Sequence, residues 1–108
     1  MEMRWPSAKV IRWIDGDTVV LLIDTGFHNS REQTVRLVEV QAPEKRQPGF
    51  WNALNHVNAI APTGAVVSVT TYKADGWDRY LGDVVTDQGV HVHADLLEKG
   101  LAVPYKRK

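Results

Sequence analysis

The chain has 108 residues, of which 44% are hydrophobic and 24% are charged, so it is long enough to bury one core of its own. Its 13 basic and 13 acidic residues cancel, which excludes attraction of nucleic acid by a global basic field and requires any polyanion to bind at a local site. The absence of cysteine excludes disulfide frameworks and thiolate–zinc sites.

The first half of the chain carries strand patterns separated by turn residues. Asp15-Gly16 is a two-residue hairpin signal, because both residue types tolerate positive φ. The polar stretch 25–33 is typical of a hairpin loop. Apolar and β-branched residues predict strands over residues 9–14, 18–23 and 34–40.

In the second half, Pro43 and Pro48 end the third strand, since proline lacks a donor for the ladder. Apolar residues at helical spacing predict a helix over residues 50–60, which ends at Pro62 and Gly64. Two further strands are predicted over 65–72 and 80–85, and a short helix over 94–99 ends at Gly100. The basic tail 106–108 is expected to fray.

This order predicts an α+β fold, a five-stranded OB-fold Greek-key β-barrel with a helix after strand 3 and a short C-terminal helix. Other small α+β folds fit the same order of elements. We expect one domain over residues 1–108, with its core at about 8–105.

The chain has no apolar run of the ~18 residues that a membrane span needs, and MEMRWPSAKV lacks the apolar region of a signal peptide. We therefore expect an intracellular protein, or a mature form already trimmed, without membrane contact. A monomer is the default expectation for its oligomeric state.

Several charged residues do not fit a purely structural interpretation. Period two places Arg36 on one face of its strand with Val38 and Val40, and burying an arginine there is costly unless it is paired. A cross-strand salt bridge or an edge position would explain it. Asp17, in the triplet DGD, and Glu44, in a loop, could each serve only a turn or the surface.

Together these residues fall within four segments that resemble the staphylococcal nuclease (thermonuclease-like) family. The segments are VIRWIDGDTVVLLI, VRLVEVQAPE, KADGWDRYLGDV and GVHVHADLLEKGLA, in the family's order. The family fold is an OB barrel with helices, in agreement with the strand pattern. The resemblance implies that the protein is a nuclease, with DNA or RNA as its partner and substrate.

The resemblance also implies roles for single residues. Asp17 matches the calcium-binding aspartate, while Asp15 shapes the hairpin. Arg36 matches a phosphate ligand and Glu44 matches the general base. Arg79 matches the arginine of a D-x-Y-G-R segment in an ungapped register. An alternative register places Asp78-Arg79-Tyr80 on D-K-Y, but it needs a two-residue deletion and leaves that arginine unmatched.

Further matches complete the implied site. The side-chain oxygen of Gln41 and the backbone carbonyl of Ala42 would join Asp17 in holding Ca²⁺, which prefers oxygen ligands. Trp77 and Tyr105 would line the substrate pocket, since aromatic rings stack on bases or sugars. The implied reaction is hydrolysis of phosphodiester bonds that leaves 3′-phosphate ends.

Three departures from the family pattern bear on activity. Gln41 is neutral where the family has an acid or asparagine, Asp78 replaces a glycine and could neutralise Arg79, and Trp77 replaces a tyrosine. An alternative is therefore a catalytically impaired OB-fold module that binds nucleic acid or a protein partner. A purely structural domain is disfavoured, because Arg36, Glu44 and Arg79 are all present.

His91 and His93 form an H-x-H pair of the kind that can bind zinc. Because only two ligands are visible in the sequence, helix capping and surface packing are the favoured interpretation of the pair.

Overall fold

Five strands close into a barrel in the computed structural model, which describes residues 2–105. The predicted tail 106–108 lies outside the described residues. In chain order, the elements are β1 (Met3–Asp15), β2 (Thr18–Gly26), β3 (Asn29–Leu37), β4 (Val40–Gln41), α1 (Phe50–Ile60), β5 (Val66–Ala74), β6 (Arg79–Thr86), α2 (Val92–Glu98) and β7 (Val103–Pro104).

The barrel has the strand order β1-β2-β3-β6-β5. Neighbouring strands are antiparallel except β3 and β6, which are parallel. The inward positions are β-branched or leucine, as a half-buried pleated surface favours, and include Val10, Val19, Leu21, Val35, Val67, Val69 and Val84. The predicted α+β OB-type barrel with a helix after the third strand is confirmed.

Helix α1 has the predicted bounds and packs against β1. Its buried face consists of Phe50, Ala53 and Val57. The indole Nε1 of Trp13 on β1 donates a hydrogen bond of 2.9 Å to the carbonyl of Ala61, at the end of the helix. The last carbonyl groups of a helix have no donor within the helix, and this bond supplies one from outside. It also holds the end of α1 beside the β1–β2 turn.

The β1–β2 turn lies one residue later than predicted. Asp15 pairs with Thr18, so the turn residues are Gly16 and Asp17. Gly16 is required for space, because an added Cβ would lie 2.8 Å from the Cβ of Ala53 and 2.9 Å from that of Ala42. The turn is thus held tightly between α1 and the segment that follows β4.

The prediction of a loop over residues 25–33 is wrong. Strands β2 and β3 remain paired up to Gly26 and Asn29, and Phe27 and His28 alone form the turn, both with positive φ. Residues at the end of this hairpin are exposed on both faces. Backbone hydrogen bonds hold them in register without apolar side chains, so hydrophobic periodicity does not reveal the strand.

The predicted strand 34–40 is also wrong in its second half. Strand β3 ends at Leu37, and Glu39 has a φ of 63° that breaks the ladder. Arg36 therefore lies on the outer, half-buried face with Thr34 and does not share a face with buried Val40. After the break, β4 pairs with β7 in a separate two-stranded sheet.

The remaining strand and helix boundaries also differ from those predicted. Strand β1 begins well before residue 9, β5 and β6 are each displaced or extended by one or two residues, and α2 begins at Val92 and ends at Glu98. No helix within residues 2–105 combines the length and apolar character that crossing a membrane requires.

Gly82 marks the parallel seam between β3 and β6. A Cβ there would lie 2.6 Å from Cγ1 of Val35 and 3.1 Å from Cγ2 of Val69. The Gly82 carbonyl also accepts a hydrogen bond of 3.0 Å from the Val38 N–H. Any larger residue must therefore displace the Val35 side chain and crowd that of Val69.

We expect Gly82→Ala to lower the free energy of unfolding by about 1–3 kcal/mol, the usual range for overpacking. Urea denaturation followed by circular dichroism measures this loss. In Gly82→Ala/Val35→Ala, the clashing methyl group is absent, so the loss should be smaller than the sum of the two single losses. Strictly additive losses would contradict the steric explanation.

Candidate active site

One cavity of about 270 Å³ brings together all of the residues with an implied site role except Trp77. It is lined by Asp15, Asp17, Thr18, Arg36, Gln41, Ala42, Glu44, Arg79 and Tyr105. A larger cavity of about 470 Å³ lies elsewhere on the barrel, between residues such as Trp5, Tyr72 and Tyr80. That cavity has no acidic residue in its lining, so it offers no carboxylate for acid–base or metal chemistry.

Asp17 is the most buried acid of the smaller cavity, with 4% of its surface exposed. Its Oδ2 accepts hydrogen bonds of 2.8 Å from the Ala42 N–H and 3.3 Å from Arg36 Nη2. Its Oδ1 accepts one of 3.0 Å from the Thr18 hydroxyl. The Asp17 carboxylate therefore links the β1–β2 turn, β3 and the segment after β4.

Asp15 was expected only to shape the turn, and its Oδ1 does accept a hydrogen bond of 3.1 Å from the Asp17 N–H. Its side chain also lines the cavity, a placement that the sequence reasoning missed. Two acids separated by one glycine at a tight turn are the signal that could have indicated it.

The two carboxyl groups ionise unequally. Burial raises the pKa of Asp15 to about 6, and the hydrogen bond and negative charge of Asp17 add to this rise. Burial also opposes ionisation of Asp17, but hydrogen bonds with Asp15 and the Ala42 N–H, together with the Arg36 charge, outweigh it and lower the pKa of Asp17. Adjacent acids that resist joint ionisation are typical of a site that accepts a cation.

Arg36 is held on the outer face of β3 with 13% of its side chain exposed. Its Nη2 donates to Asp17 and, at 3.3 Å, to the Val40 carbonyl. Its guanidinium carbon lies 5.5 Å from the centre of the Tyr105 ring. Since Nη2 makes both of these hydrogen bonds, the other edge of the guanidinium is oriented by them and can bind an anion in the cavity.

Glu44 lies in the exposed loop after Pro43. The loop is closed on itself, because the Glu44 N–H donates a hydrogen bond of 2.7 Å to Oε1 of Gln47 and the Gln47 N–H donates one of 2.9 Å to the Glu44 carbonyl. The backbone of Glu44 is thus fixed, and the residue lines the cavity while it remains exposed to solvent.

Arg79 begins β6 and has 42% of its side chain exposed. Its Nε donates a hydrogen bond of 2.8 Å to the Asp75 carbonyl and lies 3.6 Å from Asp75 Oδ2. Among the described residues, its ion pair is with Asp75 and not with Asp78, which is exposed and has a φ of 58°. The positioning role of Asp75 was missed, although its i,i+4 spacing to Arg79 was visible.

The two aromatic residues of the implied site are placed differently. Tyr105 lines the cavity, and its N–H donates a hydrogen bond of 2.8 Å to the Glu39 carbonyl at the end of the small β4–β7 sheet. Trp77 is 96% exposed and is not part of the cavity lining. In this conformation it could contact only a substrate that extends beyond the cavity.

The donor set of the cavity fits a hard divalent cation. Asp17 offers a carboxylate, Gln41 an amide oxygen and Ala42 a carbonyl, so all three implied ligands are oxygens. Asp15 adds a carboxyl group whose pKa is raised first by burial and then by the neighbouring Asp17 carboxylate, and the charge of a cation would oppose both effects. Gln41 is half-buried at the cavity wall, where its neutral side chain adds no charge.

Comparisons with known proteins identify the family of the chain. The family model described as "Staphylococcal nuclease homologue" matches residues 34–108. A protein from Escherichia coli O157:H7 described as an "Uncharacterized endonuclease" is 33% identical over 95% of this chain and 67% of its own length, and a protein of the same description from Escherichia coli matches equally. "Protein ParB" of Escherichia coli is 32% identical over 91% of this chain and 56% of its own length.

The family model covers both Arg36 and Arg79, the loop of Glu44 and the parallel seam of the barrel. The match spans well over half of the chain, and it is independent of the cavity geometry. The chain belongs to the staphylococcal nuclease family.

Proposed function

We propose that this protein is a calcium-dependent nuclease that hydrolyses phosphodiester bonds of DNA or RNA and leaves 3′-phosphate ends. The observation that carries the proposal is the single cavity in which two arginines, Glu44 and an oxygen-only ligand set around Asp17 meet. No other described cavity combines carboxylates and guanidinium groups in this way.

The Asp17 carboxylate, the Gln41 side-chain oxygen and the Ala42 carbonyl would hold Ca²⁺. Bound calcium would screen the charge of the phosphate and polarise it toward attack. The Ala42 N–H fixes the Asp17 carboxylate, and Gly16 permits the close approach of the turn to Ala42. These contacts orient the ligands before the ion arrives, which lowers the cost of forming the site.

Arg36 and Arg79 would bind the non-bridging oxygens of the phosphate. Each guanidinium is anchored by part of its donor set, Arg36 through Nη2 and Arg79 through Nε. The remaining donors would strengthen their hydrogen bonds as negative charge develops in the transition state. Tyr105, whose ring lies against Arg36, would contact the adjoining sugar or base.

Glu44 would act as the general base. It would accept a proton from a water molecule whose oxygen forms a bond to phosphorus while the bond from phosphorus to the 5′-oxygen breaks. General-base assistance contributes about 10²–10⁴-fold in rate, so the arginines and the cation must contribute the rest. The exposed loop that carries Glu44 leaves room for water and substrate.

The geometry favours an active enzyme over an impaired binding module. The concern that Asp78 neutralises Arg79 finds no support among the described residues, since Arg79 pairs with Asp75 through Nε. The neutral Gln41 remains the one departure at the ligand set. It would weaken calcium binding without removing a donor oxygen.

Cleavage should require calcium. We expect the purified protein to degrade single-stranded DNA or RNA with Ca²⁺, slowly or not at all with Mg²⁺, and not in excess chelator, because Mg²⁺ demands stricter octahedral geometry. Gel analysis with end-group determination measures both the rate and the 3′-phosphate product. Nucleic-acid binding without cleavage in every condition would favour the impaired module, and cleavage in excess chelator would refute the calcium assignment.

Substitutions should separate chemistry from binding. We expect Glu44→Gln to lower turnover by about 10²-fold or more while nucleotide affinity changes little. Arg79→Ala should lower turnover by a similar factor through lost charge stabilisation. The exposed residues Glu32 and Arg12 provide the controls Glu32→Gln and Arg12→Ala, which should retain wild-type rates. Wild-type rates in the Glu44 and Arg79 variants would place the active site elsewhere.

Asp15 should make the stability of the folded protein depend on both pH and calcium. Its negative charge should be destabilising without calcium and stabilising with calcium. Because the folded-state pKa of Asp15 is raised to about 6, its contribution to stability is present below pH 4 and lost as pH rises through 6. Asp15→Asn keeps the Oδ1 acceptor and should therefore be more stable than the wild type at pH 7.5 without calcium. Added calcium should reverse the order, because the wild type binds the cation more tightly.

Thermal unfolding of both proteins between pH 4 and 8, with calcium or chelator, measures this difference. The control Asp24→Asn changes an exposed acid that accepts a hydrogen bond within its own turn. Parallel pH profiles for wild type and Asp15→Asn would contradict the raised pKa of Asp15.

A further inference from the structure

A second group of potential metal ligands lies outside the cavity of the proposed active site. Asp83 on β6, His91 before α2 and His93 in its first turn place one ligand atom each within 4.8 Å of one another. None of the three lines the cavity that contains Asp17 and Arg36. The expectation that the histidines cap the helix is wrong for His91, which occupies the N-cap position without a side-chain capping bond.

The Asp83 carboxylate faces both imidazoles. The Nδ1 of His91 lies 3.0 Å from each carboxylate oxygen, and the Nδ1 of His93 lies 3.4 Å from Oδ1. Ligand atoms about 2.0–2.2 Å from a tetrahedral zinc ion are separated by roughly 3.3–3.6 Å. The two separations that involve Asp83 come close to this range, and all three lie within 4.8 Å.

The His93 ring lies between two carboxylates, Asp83 on its Nδ1 side and Glu39 on its Nε2 side. Its Nδ1 is buried and has no hydrogen-bond partner among the described residues. On the opposite side of the ring, Nε2 lies 3.8 Å from Oε1 of Glu39. With its hydrogen on Nε2, toward Glu39, His93 would present the Nδ1 lone pair to an ion beside Asp83, as in carboxylate–histidine–zinc arrangements.

We propose that Asp83, His91 and His93 bind a zinc ion, with Glu39 orienting His93 from outside the ligand set. Two imidazoles and one carboxylate suit a borderline divalent transition metal and differ from the oxygen-only set of the proposed calcium site. Three protein ligands leave the fourth tetrahedral position to water. That position is accessible because His91 has 52% of its side chain exposed.

The ion would join β6 to the start of α2 across the intervening turn. The same connection contains the Val85–His91 bridge, the turn hydrogen bonds at Thr86 and the Asp83–His91 contact, and α2 also packs through its buried residues Val92 and Leu96. An ion pair alone explains the cluster less well, because one carboxylate would face two imidazoles while the buried Nδ1 of His93 gained no hydrogen bond. Zinc satisfies both rings with the same ion.

The four histidines of the chain allow a direct test in the wild-type protein. Zinc is titrated in the presence of excess calcium, which saturates the oxygen-only site, and the imidazole nitrogens are followed by NMR. We expect one equivalent of zinc to shift the signals of His91 and His93 and to leave those of His28 and His56 unchanged. Unchanged His91 and His93 signals, or shifts at His28 or His56 instead, would overturn the proposal.

Calorimetric titration of variants locates the ligands. We expect Asp83→Asn and His93→Gln to weaken zinc binding by at least about 100-fold, since even outer-shell partners contribute 10–100-fold. Glu39→Gln should weaken it by about 10-fold as such a partner. His28→Asn, in the exposed β2–β3 turn, is the matched control and should bind like the wild type. Wild-type affinity in folded Asp83→Asn and His93→Gln would overturn the assignment.

Discussion

The carboxylate of Asp17 is the interaction on which the proposed active site depends. It is buried, and it accepts hydrogen bonds from the backbone of Ala42 and from Arg36. These bonds join three segments that are distant in sequence, and the missing side chain of Gly16 lets them meet. A buried charge of this kind is tolerated only because it is fully paired, so the same pairing that stabilises Asp17 also orients the groups around the cavity.

This local concentration of charge contrasts with the net charge of the whole chain, which is zero. With 13 basic and 13 acidic residues, the protein has no long-range field that would hold nucleic acid at many places. In the proposed mechanism, recognition is instead local, at Arg36, Arg79 and the cation proposed for the acids. Binding should accordingly depend more on the state of this one cavity than on the overall charge of the protein.

The fold was largely predictable because its core strands and α1 carry strong hydrophobic patterns, and Pro62 and Gly64 mark the end of the helix. The sequence did not predict the outer part of the β2–β3 hairpin or the β4–β7 sheet. Backbone hydrogen bonds hold these strands together, and no hydrophobic periodicity marks them in the sequence. Asp17, Arg36, Glu44 and Arg79 were recognised as a group by motif. The pairing of Arg79 with Asp75 was missed although the two residues are four apart in sequence. The approach of Asp83 to His91 and His93 arises only when α2 folds back onto β6.

The parallel seam between β3 and β6 has a consequence for how the protein folds. It pairs Thr34 with Arg79 and Leu37 with Gly82, across a long stretch of intervening chain, whereas the β1–β2, β2–β3 and β5–β6 pairs join neighbours in sequence. Loop-closure entropy delays such non-local pairing relative to local hairpins. Arg36 and Arg79 lie on the two strands of this seam, so a partly folded chain with intact hairpins still lacks the arginine pair.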